Sequence, residues 1–405
     1  MKPSPPYRVL IPFAKADLYG LERSVIETFD ALRPEVAPRF VQAESHVRRR
    51  LPVVEELERR GLSFDLLPDG DGWPRIRRRK WEGKARQMAL ALLTANRYYA
   101  EAIKDSDALC IDGTYTAVFA IAAAARCRLT GKPVILQFHE WPSKPLPRIY
   151  NSLVTDCFHN TAQGRDVMLR VDSRARRKRH WITPPVVDVS TAASPSPLAG
   201  NGKKNVVFAG QVSLHKGVDF LIDAFKLVAQ RHADAVLHIV GGCRDDFRPA
   251  FESMCEQSRL GERLKYWGFR PDSLSFLRDA YLSVQCTPPS RCLESFGRTV
   301  VEAMAFGVPT VTFGSGAVSE TVAHGETGLV CAETPDTLAA GIDRFLSEPQ
   351  FRHQCGRNAL QKYREECSRA AVRATWLDVL ESIIRKPRNT FQPDADTAKP
   401  SGACI

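Results

Sequence analysis

The chain has 405 residues, of which 44% are hydrophobic and 25% charged, and it carries a net charge of +11. That length exceeds one ordinary core and implies two domains of a soluble globular protein. The longest small-apolar run, residues 117–125, is far short of the ~20 residues that cross a bilayer, which excludes a spanning helix there.

The first half alternates strand-like and helix-like segments. YRVLIPF (7–13) reads as a strand, and LERSVIETFDAL (21–32) as a helix with Leu21, Val25, Phe29 and Leu32 on one face. ALCID (108–112), PVILQFH (133–139) and LVTDCFH (153–159) are further strands, the first two separated by an alanine-rich helix ending at Gly131. A βαβ rhythm of this kind gives a parallel sheet covered by helices.

Residues 190–204, STAASPSPLAGNGKK, have linker composition, and the rhythm then restarts. NVVFAG, AVLHIVGG, LKYWGF, LSVQCTP and VPTVTFG are strands; VDFLIDAFKLVAQ (218–230) is a helix. A further helix runs from Arg298 to Gly307, and Thr334–Pro335 opens another with an N-cap and a proline in the first turn. The expected architecture is α/β, two facing Rossmann-like doubly wound domains with a cleft between them. Their bounds are 1–189 and 205–362, followed by a helix over 363–386 that crosses back to the first domain, and a disordered tail over 387–405. Ligands of such sheets bind at the carboxyl ends of the strands, and clefts between domains are favoured sites.

The basic charge is clustered in the first half, in residues 46–50, 75–86 and 174–181. A solvated basic face is the commonest meaning of such runs. An anionic membrane or acceptor surface is the sharper one, with Arg75, Arg77, Arg78, Arg79 and Lys80 beside Trp81 as its centre. No nucleic-acid-binding motif accompanies the charge. Eleven scattered cysteines without a CxxC pair read as reduced core thiols. With no leader-like N-terminus, the expected location is the cytoplasm, including the inner membrane surface. Cys292, with no histidine near it in sequence, is not expected to act as a nucleophile.

Two stretches carry chemistry. FAGQVSLHKG (208–217) is a strand, a turn at Gly210–Gln211 and a helix start at Lys216–Gly217; a helix start with an ammonium beside it suits phosphate, although on this loop alone an ordinary βα loop with a solvated lysine is the preferred reading. SRCLESFGRTVVEAMAFGVPTV (290–311) places Glu294 before Gly297 and Glu302 inside the helix that follows. The first-turn amides of that helix suit an anion, and a carboxylate that accepts two hydrogen bonds suits a ribose diol. Two capping or surface carboxylates are the plain alternative.

Together these segments resemble the retaining GT-B glycosyltransferases of the GT4 family, whose hallmark is a Glu-x7-Glu segment in the second domain. PVILQFHE resembles the first-domain strand ending in the family's active-site histidine, DLYGLERSV its first loop, and GSGAVSETVAHGETGLV its later glycine-rich loop with Glu320. The resemblance implies catalytic roles for Glu294, His139 and Lys216. It implies donor binding by Gly20, Gly210, Gln211, Lys216, Phe269, Phe296, Gly297, Arg298 and Glu302. The implied donor is a nucleoside-diphosphate sugar and the implied acceptor a hydroxyl, lipid-linked if the basic clusters face a membrane. No cofactor and no metal are expected, since Lys216 and the helix start fill the metal's part. Gln211 stands where the family has an arginine, leaving Arg298 or Arg291 as substitutes. Two rivals stay open: a nucleotide- or membrane-binding scaffold on a degenerate transferase fold, and a phosphorylase, synthase or epimerase on the same fold.

Overall fold

The computed structural model describes residues 6–13, 18, 20–68, 85–113, 118–139, 145–190, 192 and 196–385. The basic residues Arg75 to Lys80, with Trp81, and the segment 387–405 lie outside the described residues.

Each domain is built on a parallel sheet. In the first, β1 (Tyr7–Pro12), β2 (Val36–Ala43), β3 (Phe64–Leu67), β4 (Ala108–Asp112), β5 (Val134–Phe138), β6 (Asp156–His159) and β7 (Arg179–Ile182) take the order β3-β2-β1-β4-β5-β6-β7. In the second, β8 (Lys204–Ala209), β9 (Ala235–Val240), β10 (Leu264–Tyr266), β11 (Leu282–Gln285), β12 (Thr310–Thr312) and β13 (Gly328–Val330) take the order β10-β9-β8-β11-β12-β13. Both orders reverse beside their first strand, at β1/β4 and at β8/β11, and a crevice forms at such a switch point, outside the strand ends.

β4, β5, β8, β9 and β11 are buried on both faces, as strands covered on both sides are, and they sit where the hydrophobic runs placed them. β2, β3, β7 and β13 carry no such run and were not expected. β2 contains Pro38, which lies in the part of the strand paired with β1 alone. β7 lies inside the third basic cluster. Two arginines of that cluster are committed to carboxylates, while Arg176 and Arg177 are exposed. Arg179 pairs with the fully buried Asp156 at 2.8 Å, and Trp181 Nε1 donates to the same carboxylate at 3.0 Å. Arg174 donates to Asp172 at 2.8 Å and to the carbonyl of Leu146 at 2.6 Å.

Within the stretch 190–204, Leu198 is buried with Val207, Val240 and Phe276 of the second domain, and Ser196 donates to Asp279. At the other end of the chain, helix Arg369–Arg385 returns to the first domain. Trp376 is fully buried, packs edge-on against Phe29 and Phe158 with ring centroids 5.7 and 5.1 Å away, and donates from Nε1 to the carbonyl of Pro184 at 3.1 Å. An indole buries a large apolar surface, and this N–H has its partner, so this one side chain fixes where the helix docks.

Two buried histidines make the fold sensitive to acid. A carbonyl can only accept, so His180 Nε2 donates to the carbonyl of Ala175 at 2.8 Å. His180 Nδ1 therefore accepts, from His159 Nε2 at 2.9 Å. Burial, with a smaller push from His180, holds the His159 pKa down to about 3. Burial likewise holds His238 at about 4, where it accepts from Trp267 Nε1 and donates to Asn205 Oδ1. In the unfolded chain both would protonate near pH 6.5. Their neutral-state stability is therefore complete above that pH and is lost as pH falls toward 4. Each histidine is expected to contribute about 1.4 kcal/mol of loss per pH unit in that window. Urea midpoints between pH 7.5 and 4.5 check this: His238→Gln is expected to flatten the slope, and an unchanged slope would contradict it.

Candidate functional site

The two switch points face each other across a cavity of about 320 Å³. The first domain contributes Gly20, Leu21 and Ser24 after β1, His139 after β5 and Asn160 after β6. The second contributes Phe208 to Gly210 at the end of β8, Lys216, Gln285 and Thr287 from β11 onward, and Glu294 to Thr299.

Two helices begin at this cavity, one from each domain: Gly20–Ala31 and Arg298–Ala305. The N-terminal amides of a helix lack intrahelical partners and carry the positive end of its dipole. The entry to the second helix depends on Gly297, which has φ +76°; a Cβ there would lie 2.7 Å from Val318 Cγ2. Only glycine meets both conditions comfortably. Gly217 is likewise at φ +74°, where a Cβ would fall 2.0 Å from the carbonyl oxygen of Cys286. That close approach seats the Lys216 loop against the end of β11.

Lys216 and Glu294, 78 residues apart, form an ion pair. The same carboxylate oxygen accepts from Thr287 Oγ1 at 2.7 Å and from Gln285 Nε2 at 3.1 Å. Glu294 is thus held by three donors from two strand ends, and the ammonium stands at the cavity wall. On the opposite wall His139 is buried, and its Nε2 lies 3.2 Å from Asp112 Oδ1 at the end of β4.

Most sequence-predicted site residues meet here: Gly20, His139, Gly210, Lys216, Glu294, Phe296, Gly297 and Arg298 all line the cavity. Three do not. Gln211 is exposed and lies off the cavity wall. Phe269 is 77% exposed, beside Gly242. Glu302 is 5% exposed, and its Oε1 accepts from Arg298 Nε at 3.0 Å, so it lies one layer behind the cavity wall.

Arg298 and Arg291, the candidates to replace an arginine at position 211, are both paired with carboxylates. The Arg298 guanidinium donates to Ser24 Oγ at 3.0 Å and pairs with Glu302 and, across the domains, with Glu27 at 2.5 Å. Burial opposes its charge, but Glu27 and Glu302 outweigh burial and hold its pKa above the ordinary arginine value. Arg291 forms a two-pronged pair with Asp219, both contacts at 2.8 Å. Glu320, expected in a donor-side loop, accepts instead from the amides of Ala162 and Gln163, capping helix Ala162–Val171 of the first domain.

Ser24, Asp112, Asn160, Gln285 and Thr287 were missed. Gln285 and Thr287 had a signal: they alternate at the end of a predicted strand, where ligands gather.

Residues 190–362 match the family model of the glycosyl transferases group 1. The chain belongs to the group 1 glycosyl transferases. It is 33% identical over 168 residues to an uncharacterized glycosyltransferase of Methanocaldococcus jannaschii, covering 41% of this chain and 42% of that one. It is 32% identical over 268 residues to the phosphatidyl-myo-inositol mannosyltransferase of Mycobacterium tuberculosis, covering 62% and 66%. The chain spans about half the length of several curated relatives that it matches. The crystal structure of Anabaena HepE in complex with UDP and glucose superposes with a TM-score of 0.73 at 17% identity, covering 93% of this chain and 100% of that one. That likeness shows that this group 1 glycosyl transferase has the two-domain GT-B fold.

Proposed function

We propose that this group 1 glycosyl transferase is a retaining, metal-independent enzyme that moves a hexose from a nucleoside-diphosphate sugar to a hydroxyl acceptor. The observation that carries this reading is the pairing, in one interdomain cavity, of an anion-binding wall with a carboxylate and an imidazole. The wall consists of the amides of residues 296–298 and the Lys216 ammonium, with Glu294 beside it and His139 across the cavity. As the bond between the sugar's anomeric carbon and the diphosphate oxygen breaks, its electron pair moves onto the phosphate. Donors already aimed there lower the barrier without reorganising. Glu294 faces the positive charge that develops on the sugar. The acceptor oxygen bonds to the anomeric carbon from the side the phosphate leaves, and its proton passes to the departing phosphate oxygen. His139, with Asp112 beside it, holds the sugar from the first domain. The matched relative that mannosylates phosphatidyl-myo-inositol and the basic run Arg75–Lys80 favour a lipid-linked acceptor at an anionic membrane.

Incubation with UDP-, GDP- and ADP-hexoses in EDTA, with and without anionic vesicles, tests the reading. Release of one nucleoside diphosphate is expected, with a product of unchanged anomeric configuration by NMR. Inversion, or turnover abolished by EDTA, would refute the retaining or metal-independent part; turnover only with inorganic phosphate would favour a phosphorylase.

A further inference from the structure

Two chemistries line the cavity. From the second domain, amides and the Lys216 ammonium offer hydrogens. From the first comes Asn160, which is 7% exposed and lines the cavity. Its Oδ1 is buried and accepts no hydrogen bond. Buried amide oxygens are normally satisfied, and this one cannot readily be relieved by a swing of its loop. The next residue, Thr161, caps helix Ala162–Val171 by accepting from Gly164 N at 3.1 Å. The amides of Ala162 and Gln163 donate to Glu320 of the second domain. Both domains therefore hold Asn160 in place.

An ionised diphosphate has only acceptor oxygens and cannot satisfy an amide oxygen; a hydroxyl can. We infer that Asn160 reads a hydroxyl of the transferred sugar, so that the first domain distinguishes a sugar nucleotide from the bare diphosphate. This rests on the function proposed above and adds, beside His139, a residue that reads one of the sugar's hydroxyls. Because Glu320 of the second domain caps the helix that begins two residues later, Asn160 is set in its reading position by the approach of the domains.

The test uses the full chain and two variants, Asn160→Ala and Asn160→Asp, the latter retaining an acceptor oxygen. Dissociation constants are measured by calorimetry for UDP-glucose, GDP-mannose, UDP and GDP, and compared as the ratio of bare diphosphate to sugar nucleotide for the preferred base. Asn160→Ala is expected to lower that ratio about tenfold, the worth of one buried hydrogen bond, with binding of the bare diphosphate within twofold of wild type. Asn160→Asp is expected to recover part of the ratio, because any added repulsion acts on both ligands. Equal losses for both ligands, or an unchanged ratio with altered acceptor dependence, would overturn the inference alone. If the wild-type chain binds none of the four, the parent proposal falls with it.

Discussion

Lys216→Ala is expected to cut turnover of the preferred sugar nucleotide by about 10²–10³-fold, the usual worth of one preorganised donor to a developing anion. Lys216 is the side-chain ammonium at the cavity wall, and Gln211 leaves no arginine beside it on the loop. The alternatives Arg298 and Arg291 are committed to carboxylates, so no neighbour compensates. The loss should fall on kcat more than on KM, because the negative charge grows as the bond breaks. The fold should survive: Lys216 is partly exposed, and Glu294 keeps Thr287 and Gln285 as donors. Nucleoside diphosphate release under saturating donor, with a melting curve as control, checks this; a loss below about threefold would remove Lys216 from the chemistry.

Arg298→Met is expected to be the most destabilising single change near the cleft, by about 3–5 kcal/mol, because removing one partner of a buried pair strands the other. Two carboxylates would be stranded. Glu302 loses its arginine partner. Glu27, whose side chain is 1% exposed, retains the longer contacts to Arg60 and Arg23 at 3.6 and 3.5 Å and the amide of Asp188 at 3.1 Å, but loses its closest cation. Since Glu27 belongs to the first domain, the same change cuts an interdomain strap, and the two domains should splay. Urea unfolding reads the first effect and the radius of gyration in solution the second. A variant unchanged in both would show that the Arg298–Glu27 pair holds nothing together. Arg298→Lys, which keeps the charge but loses the fork that reaches Glu27, Glu302 and Ser24 together, should recover part of the stability.

How much of this was legible depended on whether partners were local in sequence. The strands buried on both faces announced themselves as apolar runs, and the βαβ rhythm led directly to two parallel sheets. Glu294, Gly297 and Arg298 lie within five residues of one another, and a turn leading into a helix brings them together whatever else the chain does. Lys216 belongs to a similar strand–turn–helix and meets Glu294 because β8 and β11 are neighbours in the sheet. Asn160, Asp112 and Ser24 reach the site only through the strand order of the first domain, which no local pattern displays. β7 was hidden for a related reason: Arg179 and Trp181 look like surface residues until the buried carboxylate of Asp156 is placed on the adjacent strand. Gln211 adjoins a cavity residue, Gly210, but is exposed and off the cavity wall, because adjacent positions along an extended loop send their side chains to opposite sides. The second glutamate of the pair, Glu302, has a partner that the motif does not display: its Oε1 accepts from Arg298, the arginine that joins the domains.

The most direct measurement is a crystal structure with the nucleoside diphosphate that stabilises the protein most. The β-phosphate is expected within hydrogen-bond distance of the amides of Gly297 and Arg298 and of Lys216 Nζ, with Glu294 alongside. A diphosphate bound elsewhere, or one contacting neither that helix start nor Lys216, would contradict the account.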